Sequence, residues 1–268
     1  MDGNGNAGRL HVRDIGDGRP LVLVHGWSCP GRFFDGQVEA LSAHARCIVP
    51  DLPGHGQTGA GLPLTLEAAA DALHAFLEAE DIANAIVCGW SMGAHAAYAM
   101  IERHGTDRIA GVVTIDMSPK VLNDDEWRNG ILSGLTAEVN ETVLAAIVNH
   151  WNVMPANVAR QLFASDRPVE PDLLALAERE IAKENPALLQ PMWASMCRQD
   201  FRDFLADLAV PLHFVCGAGS QLYGEGVRDW HRATVPDVRV HVFEQSGHAP
   251  HLEEPHRFNS LILEILQA

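Results

Sequence analysis

Basic residues are scarce in this chain. Its 268 residues carry 19 Lys+Arg against 35 Asp+Glu, a formal charge of -16 at pH 7. A protein so charged offers no cationic face to a phosphate backbone, which argues against nucleic acid as a partner. Long apolar runs are missing too, so no stretch matches the length of a membrane span. Residues Met1-Asp2-Gly3-Asn4-Gly5-Asn6 hold neither the cationic nor the apolar part of a secretory leader. The expectation is a soluble, cytoplasmic protein. Cysteine is sparse and scattered: Cys29, Cys47, Cys88, Cys197 and Cys216 are odd in number and form no Cys-x-x-Cys pair. That excludes a disulfide framework and a thiolate metal site and leaves each as a small buried hydrophobe.

What the chain does have is hydrophobic mass, 47% of residues, enough for a substantial core at this length. Its apolar runs alternate with helical patterns. Leu10 to Ile15 reads as an antiparallel strand closed by Gly16-Asp17-Gly18. Leu21-Val22-Leu23-Val24, Cys47-Ile48-Val49, Asn84-Ala85-Ile86-Val87-Cys88, Ile109 to Asp116, Leu212 to Gly217 and Arg239 to Phe243 are unbroken and rich in β-branched residues, as strands buried on both faces are. Between them fall helical stretches over Phe33 to Ala43, Leu66 to Glu80, Ala94 to Arg103, Arg228 to Thr234 and Pro255 to Gln267. Repeated β-α units predict an α/β fold, a doubly wound and mostly parallel sheet. No β run interrupts Ser118 to about Leu208. A helical cap is therefore expected over 118–208, inserted after the strand ending at Asp116, with a core formed by 1–117 and 209–268. The cap carries Trp127, Trp151, Trp193, Met154, Met192, Met196 and Phe163, most of which should form its own core while some face the cleft.

The most informative five residues are Gly89-Trp90-Ser91-Met92-Gly93. Strand before and helix after is the setting of a nucleophile elbow, in which a strained turn pushes a serine hydroxyl into the open and glycines two residues either side let chain pass close by. The helix that follows aims its N-terminal N–H groups at the same spot. His248, on the loop after the last strand, is the natural proton acceptor, since neutral imidazole takes a hydroxyl proton near pH 7. His25-Gly26-Trp27 follows the first buried strand. The backbone N–H groups of Trp27 and Met92 are the expected oxyanion donors.

The motifs Leu23-Val24-His25-Gly26-Trp27, Asp51-Leu52-Pro53-Gly54-His55-Gly56, Gly89-Trp90-Ser91-Met92-Gly93 and Gly247-His248-Ala249-Pro250-His251-Leu252-Glu253-Glu254-Pro255 together resemble the α/β-hydrolase family. Within it the elbow and the His-Gly-Trp loop are similar to small carboxylesterases, including those that release pimeloyl methyl ester, and to cofactor-free haloperoxidases. The resemblance implies a serine, acid, histidine order along the chain. It also places the acid after the strand ending at Gly217, in a Gly-x-x-Asp loop. Here that loop reads Gly217-Ala218-Gly219-Ser220-Gln221-Leu222-Tyr223-Gly224-Glu225, without a carboxylate at the expected place. Asp116, at the end of the preceding strand, is the first choice for the acid, a position some haloalkane dehalogenases use. Glu225 is the second choice.

The Asp51 to Gly56 turn implies a structural tie of carboxylate and imidazole; with no third ligand nearby it predicts no metal. His95, one turn past Ser91, reads as a packed helix residue, and His251 and Glu254 as polar residues leading into the last helix. The expected function is hydrolysis of a small or medium hydrophobic acyl or aryl ester, or a lactone, through an acyl-enzyme on Ser91. It needs no cofactor and no partner beyond the small-molecule ester; the sequence leaves the oligomeric state open. Two other readings stand beside it: a cofactor-free dioxygenase or C–C hydrolase run by a His/Asp pair, and a non-catalytic ligand-binding homologue.

Overall fold

The computed structural model describes residues 8–268; the N-terminal hexapeptide read above for a leader lies outside them. Seven strands form one sheet: β1 (His11–Ile15), β2 (Pro20–Val24), β3 (Arg46–Asp51), β4 (Ala85–Trp90), β5 (Ile109–Ile115), β6 (Leu212–Gly217) and β7 (Val238–Phe243). Their order is β1-β3-β2-β4-β5-β6-β7. Among the described residues only β1 runs antiparallel, with His11 opposite Asp51; every other neighbouring pair is parallel.

The uninterrupted apolar runs are explained by burial on both faces. Val22 and Val24 point into one core with helices α2 (Leu66–Ala79) and α3 (Met92–His104). Leu21 and Leu23, alternating with them, point into the other, against α1 (Asp35–Leu41) and the C-terminal helix. A strand with no solvated face has no reason to alternate polar residues.

The chain steps outward from β2 to β3, then crosses back to lay β4 on the other side of β2. At such a reversal the loops beyond the strand ends splay apart and leave a crevice. The loop after β2 and the turn after β4, which carry Trp27 and Ser91, flank that crevice.

Between β5 and β6 lie α4 (Ala137–Asn149), α5 (Met154–Gln161), α6 (Pro171–Ala182), α7 (Pro186–Cys197) and α8 (Arg202–Ala206). Thr136 accepts the Val139 N–H to begin α4, and Asn185 accepts the Ala187 N–H to begin α7, the usual side-chain solution for unpaired first-turn donors. α9 (Glu225–Thr234) precedes β7, and α10 (Pro250–Glu253) and α11 (Pro255–Gln267) close the chain. All five cysteines are buried and free, and burial pushes their thiols up. Among the described residues no helix is long and apolar enough to cross a membrane.

Candidate active site

Ser91 joins β4 to α3 with φ 52° and ψ -118°, a backbone region that side chains rarely occupy and that tertiary contacts must enforce. The enforcing contacts require the flanking glycines. A Cβ on Gly89 would collide with the Gly93 carbonyl, and one on Gly93 with the carbonyls of Val24 and His25. The first turn of α3 is thereby pressed against the end of β2. The Ser91 N–H donates to the Ile115 carbonyl at 3.0 Å, which locks the elbow to the end of β5.

The residue after Ile115, just past the end of β5, is Asp116, 1% exposed and at φ 46°. Its N–H donates to Val215 on β6 at 2.7 Å. His248 donates from Nδ1 to Asp116 Oδ2 at 2.7 Å. A carboxylate only accepts, so the proton sits on Nδ1 and Nε2 is left as an acceptor. His248 is 2% exposed and lines, with Ser91 and Trp27, a cavity of about 330 Å³. Among the described residues the serine hydroxyl and the imidazole are not hydrogen-bonded; in enzymes without substrate this contact is commonly long and tightens on binding.

The loop of His248 is held from several sides. Trp90, beside Ser91, donates from Nε1 to the His248 carbonyl at 2.8 Å. Glu254 Oε2 accepts from the Gln245 N–H at 3.0 Å and the Ser246 hydroxyl at 2.7 Å. Glu253 accepts the Gly247 N–H at 2.6 Å and the Ala164 N–H at 2.9 Å, so one carboxylate ties this loop to the segment after α5. Burial pushes the Glu253 carboxyl up to about 7 against the pull of those amides.

The loop carrying Trp27 passes close over the elbow: a Cβ on Gly26 would lie 3.4 Å from Ser91 Cβ. Among the described residues the backbone N–H groups of Trp27 and Met92 donate to nothing. Unpaired backbone donors in a buried place call for an acceptor. The Trp27 indole donates to the Leu189 carbonyl of α7 at 2.9 Å and packs on Trp193 with ring centroids 4.9 Å apart. Of the large side chains read as a cap, Trp193, Met154 and Met196 line the cavity, with Leu135, Val158 and Leu162. Among the described residues no Lys, Arg, Asp or Glu lines it.

Several candidate residues stand elsewhere. Glu225 is the first residue of α9, its side chain 76% exposed and facing Arg228; the structure does not bring it to the imidazole. The reason is the one that puts acids at helix starts, the favourable end of the helix dipole. His95 is fully buried, pairs with the Ser118 carbonyl at 2.8 Å and packs on Phe201. His251, read as a polar residue leading into the last helix, is packed as an aromatic: it is wedged between Phe34 and Trp90, 0% exposed, and among the described residues neither ring nitrogen has a partner. Burial, then the nearby His248, pushes it down to about 3. Glu254 does lead into the last helix, directly preceding Pro255, and its half-buried carboxylate is bonded to the His248 loop.

Sequence reasoning missed Ser220, whose hydroxyl donates to Asp116 Oδ2 at 2.6 Å. The available signal was a hydroxyl three residues past the end of β6, in the seat where the family resemblance places an acid. Trp90 and Glu253 left no comparable mark, because their work lies in contacts far apart in sequence.

The sequence profile of the alpha/beta hydrolase family matches residues 21–261. A pimeloyl-[acyl-carrier protein] methyl ester esterase of Aromatoleum aromaticum is 30% identical over 258 residues, covering 92% of this chain and 98% of its own. One from Vibrio cholerae is 31% identical, covering 95% and 97%. Among solved structures, a bromoperoxidase from Bacillus anthracis superposes with TM-score 0.88 at 24% identity, over 97% of this chain and 95% of its own. A thermophilic esterase from Thermogutta terrifontis gives 0.84 at 25% identity, over 96% and 93%.

Proposed function

The chain belongs to the alpha/beta hydrolase family, and on that footing we propose that it hydrolyses carboxylic esters through a covalent acyl-enzyme on Ser91. The observation that carries this reading is the 2.7 Å bond from His248 Nδ1 to a buried Asp116, which leaves Nε2 free in the cavity that also holds the serine. The Ser91 hydroxyl attacks the ester carbonyl while His248 Nε2 takes its proton. Asp116 keeps Nδ1 protonated and stabilises the imidazolium that forms. The N–H groups of Trp27 and Met92 receive the oxyanion, and such donors act strongly because they are aimed before the charge appears. His248 then gives its proton to the departing alcohol, and water, deprotonated by the same imidazole, releases the acid.

The relatives from Aromatoleum and Vibrio are named for a methyl ester attached to a carrier protein; the named neighbours include esterases. Without a charged side chain at its wall, the cavity suits an uncharged acyl or aryl group of small or medium size. Residues 118–208 act as the cap, supplying Met154, Trp193 and Met196 as the roof.

The test is a p-nitrophenyl ester panel from acetate to decanoate, with a lactone alongside, on wild type and Ser91→Ala. Turnover is expected to peak at short to medium chains. Ser91→Ala should lose roughly 10⁴-fold or more, and a fluorophosphonate should label Ser91 stoichiometrically only when His248 is present. Retained turnover in Ser91→Ala with inactive His248→Ala points instead to dioxygenase or C–C hydrolase chemistry. Absent labelling with tight small-molecule binding points to a non-catalytic homologue.

A further inference from the structure

We propose that Ser220 is the positioning residue that aims Asp116 at His248. The inference rests on the triad reading given above. Its ground is that two donors from the loops after β6 and β7 converge on one oxygen: Ser220 Oγ at 2.6 Å and His248 Nδ1 at 2.7 Å both meet Asp116 Oδ2.

The direction of the Ser220 hydroxyl is fixed by its own surroundings. Its oxygen accepts the N–H groups of Leu222 at 3.3 Å and Tyr223 at 3.2 Å. With the oxygen lone pairs engaged, the hydroxyl proton is left for the carboxylate. The loop cannot drift away from the imidazole either, since the Gly219 N–H donates to the Ser246 carbonyl at 2.9 Å and the Ala218 N–H to Phe243 at the same distance. Ser220 and His248 therefore ride on loops bonded to each other, and Asp116 is gripped between them.

Asp116 needs that grip. It projects from a backbone at φ 46°, beyond the last paired residue of β5, so strand pairing alone does not set its carboxylate plane. A buried carboxylate with one donor removed is free to rotate and is poorly compensated for its lost hydration. Tyr223 cannot take over, because its hydroxyl donates to Met117 Sδ at 3.1 Å.

The experiment compares wild type with Ser220→Ala, Ser220→Thr and Ser91→Ala by steady-state ester hydrolysis, thermal melting and the downfield proton resonance of the His248 Nδ1–H. Ser220→Ala should lose roughly tenfold in kcat, or about 1.4 kcal/mol of transition-state stabilisation, with KM within about twofold, since only the aim of the base changes. Its downfield resonance should move upfield. Ser220→Thr, which keeps the hydroxyl, should recover most of both. Unchanged kcat and resonance in Ser220→Ala, or a loss that Ser220→Thr does not repair, overturns the positioning role. Ser91→Ala keeps the two levels apart: if it stays active the triad reading itself fails, and if it is dead while Ser220→Ala is fully active, only this inference does.

Discussion

Two buried aspartates, each beside histidine, stand at the C-terminal edge of the same sheet and, on the proposed reading, do different work. At the end of β3, Asp51 Oδ1 accepts the Gly31 N–H and Oδ2 the Gln57 N–H, with His11 Nδ1 3.2 Å away. The imidazoles beside it are spent on backbone. His25 bonds the Gly26 carbonyl through Nδ1 and accepts the Leu52 N–H through Nε2; His55 bonds the Pro53 carbonyl and accepts the Ser28 N–H. At the end of β5 the carboxylate of Asp116 also holds an imidazole, but Nε2 of that imidazole faces a cavity. Residue types and burial are nearly the same in the two places. A free nitrogen at a solvent-reachable serine separates a chemical site from a knot that shapes loops.

The hardest blow to that contrast is His248→Ala, expected to cut ester kcat by roughly 10⁵–10⁶ with little change in melting temperature; a loss under a hundredfold breaks it. Asp116→Asn should lower kcat by roughly 10³–10⁴ by permitting the wrong tautomer, again with a folded protein. Asp51→Asn should invert the pattern. It strips an acceptor from buried amides and is expected to destabilise by roughly 2–3 kcal/mol in urea unfolding, while kcat per folded molecule drops by less than about tenfold. If Asp51→Asn instead resembles Asp116→Asn, the two regions are not different in kind.

Acid sharpens the contrast further. Burial pushes His55 and His251 down to about 3 and His95 and His231 down to about 4. The unfolded chain takes up these protons below 6.5 and the folded one does not, so their contribution is complete above pH 6.5 and is lost as pH falls. Each fully buried imidazole costs about 1.4 kcal/mol per pH unit in that window. Glu184 and Glu253, both pushed up to about 7 by burial, act in the opposite sense, binding protons more readily when folded between pH 7 and 4.5. Four imidazoles outweigh two carboxyls, and the urea midpoint should fall between pH 6.5 and 4.5. A midpoint that rises there contradicts the neutral knot. The smallest effect is expected of Glu225→Ala, within about twofold in kcat and about 0.5 kcal/mol in stability; a larger loss in kcat would return Glu225 to the site.

The elbow was legible because its cause is local: Gly89 and Gly93 are demanded by chain passing within contact of them, and a demand of that kind leaves a spaced pattern. Strand runs were legible for a similar reason, since burial on both faces shows as unbroken hydrophobicity over Leu21 to Val24. The acid was less so. Asp116 and Glu225 both follow the serine in sequence, and nothing local tells a carboxylate under an imidazole from one at a helix start. His251 misled because histidine reads as polar, while its ring is packed as an aromatic between Phe34 and Trp90.

By itself the sequence determined the order of strands and helices, the strained turn at Ser91 and the loop that brings His248 past the last strand, because those follow from sterics and burial patterns over a few neighbouring residues. Only the tertiary structure decided that Ser220 reaches the oxygen of Asp116, that Trp90 and Glu253 brace the His248 loop, and that Trp193, Met154 and Met196 rather than Trp127 or Phe163 line the cavity. Those contacts join residues tens to more than a hundred positions apart, and hydrogen bonds and packing at such separations are set by how the layers dock.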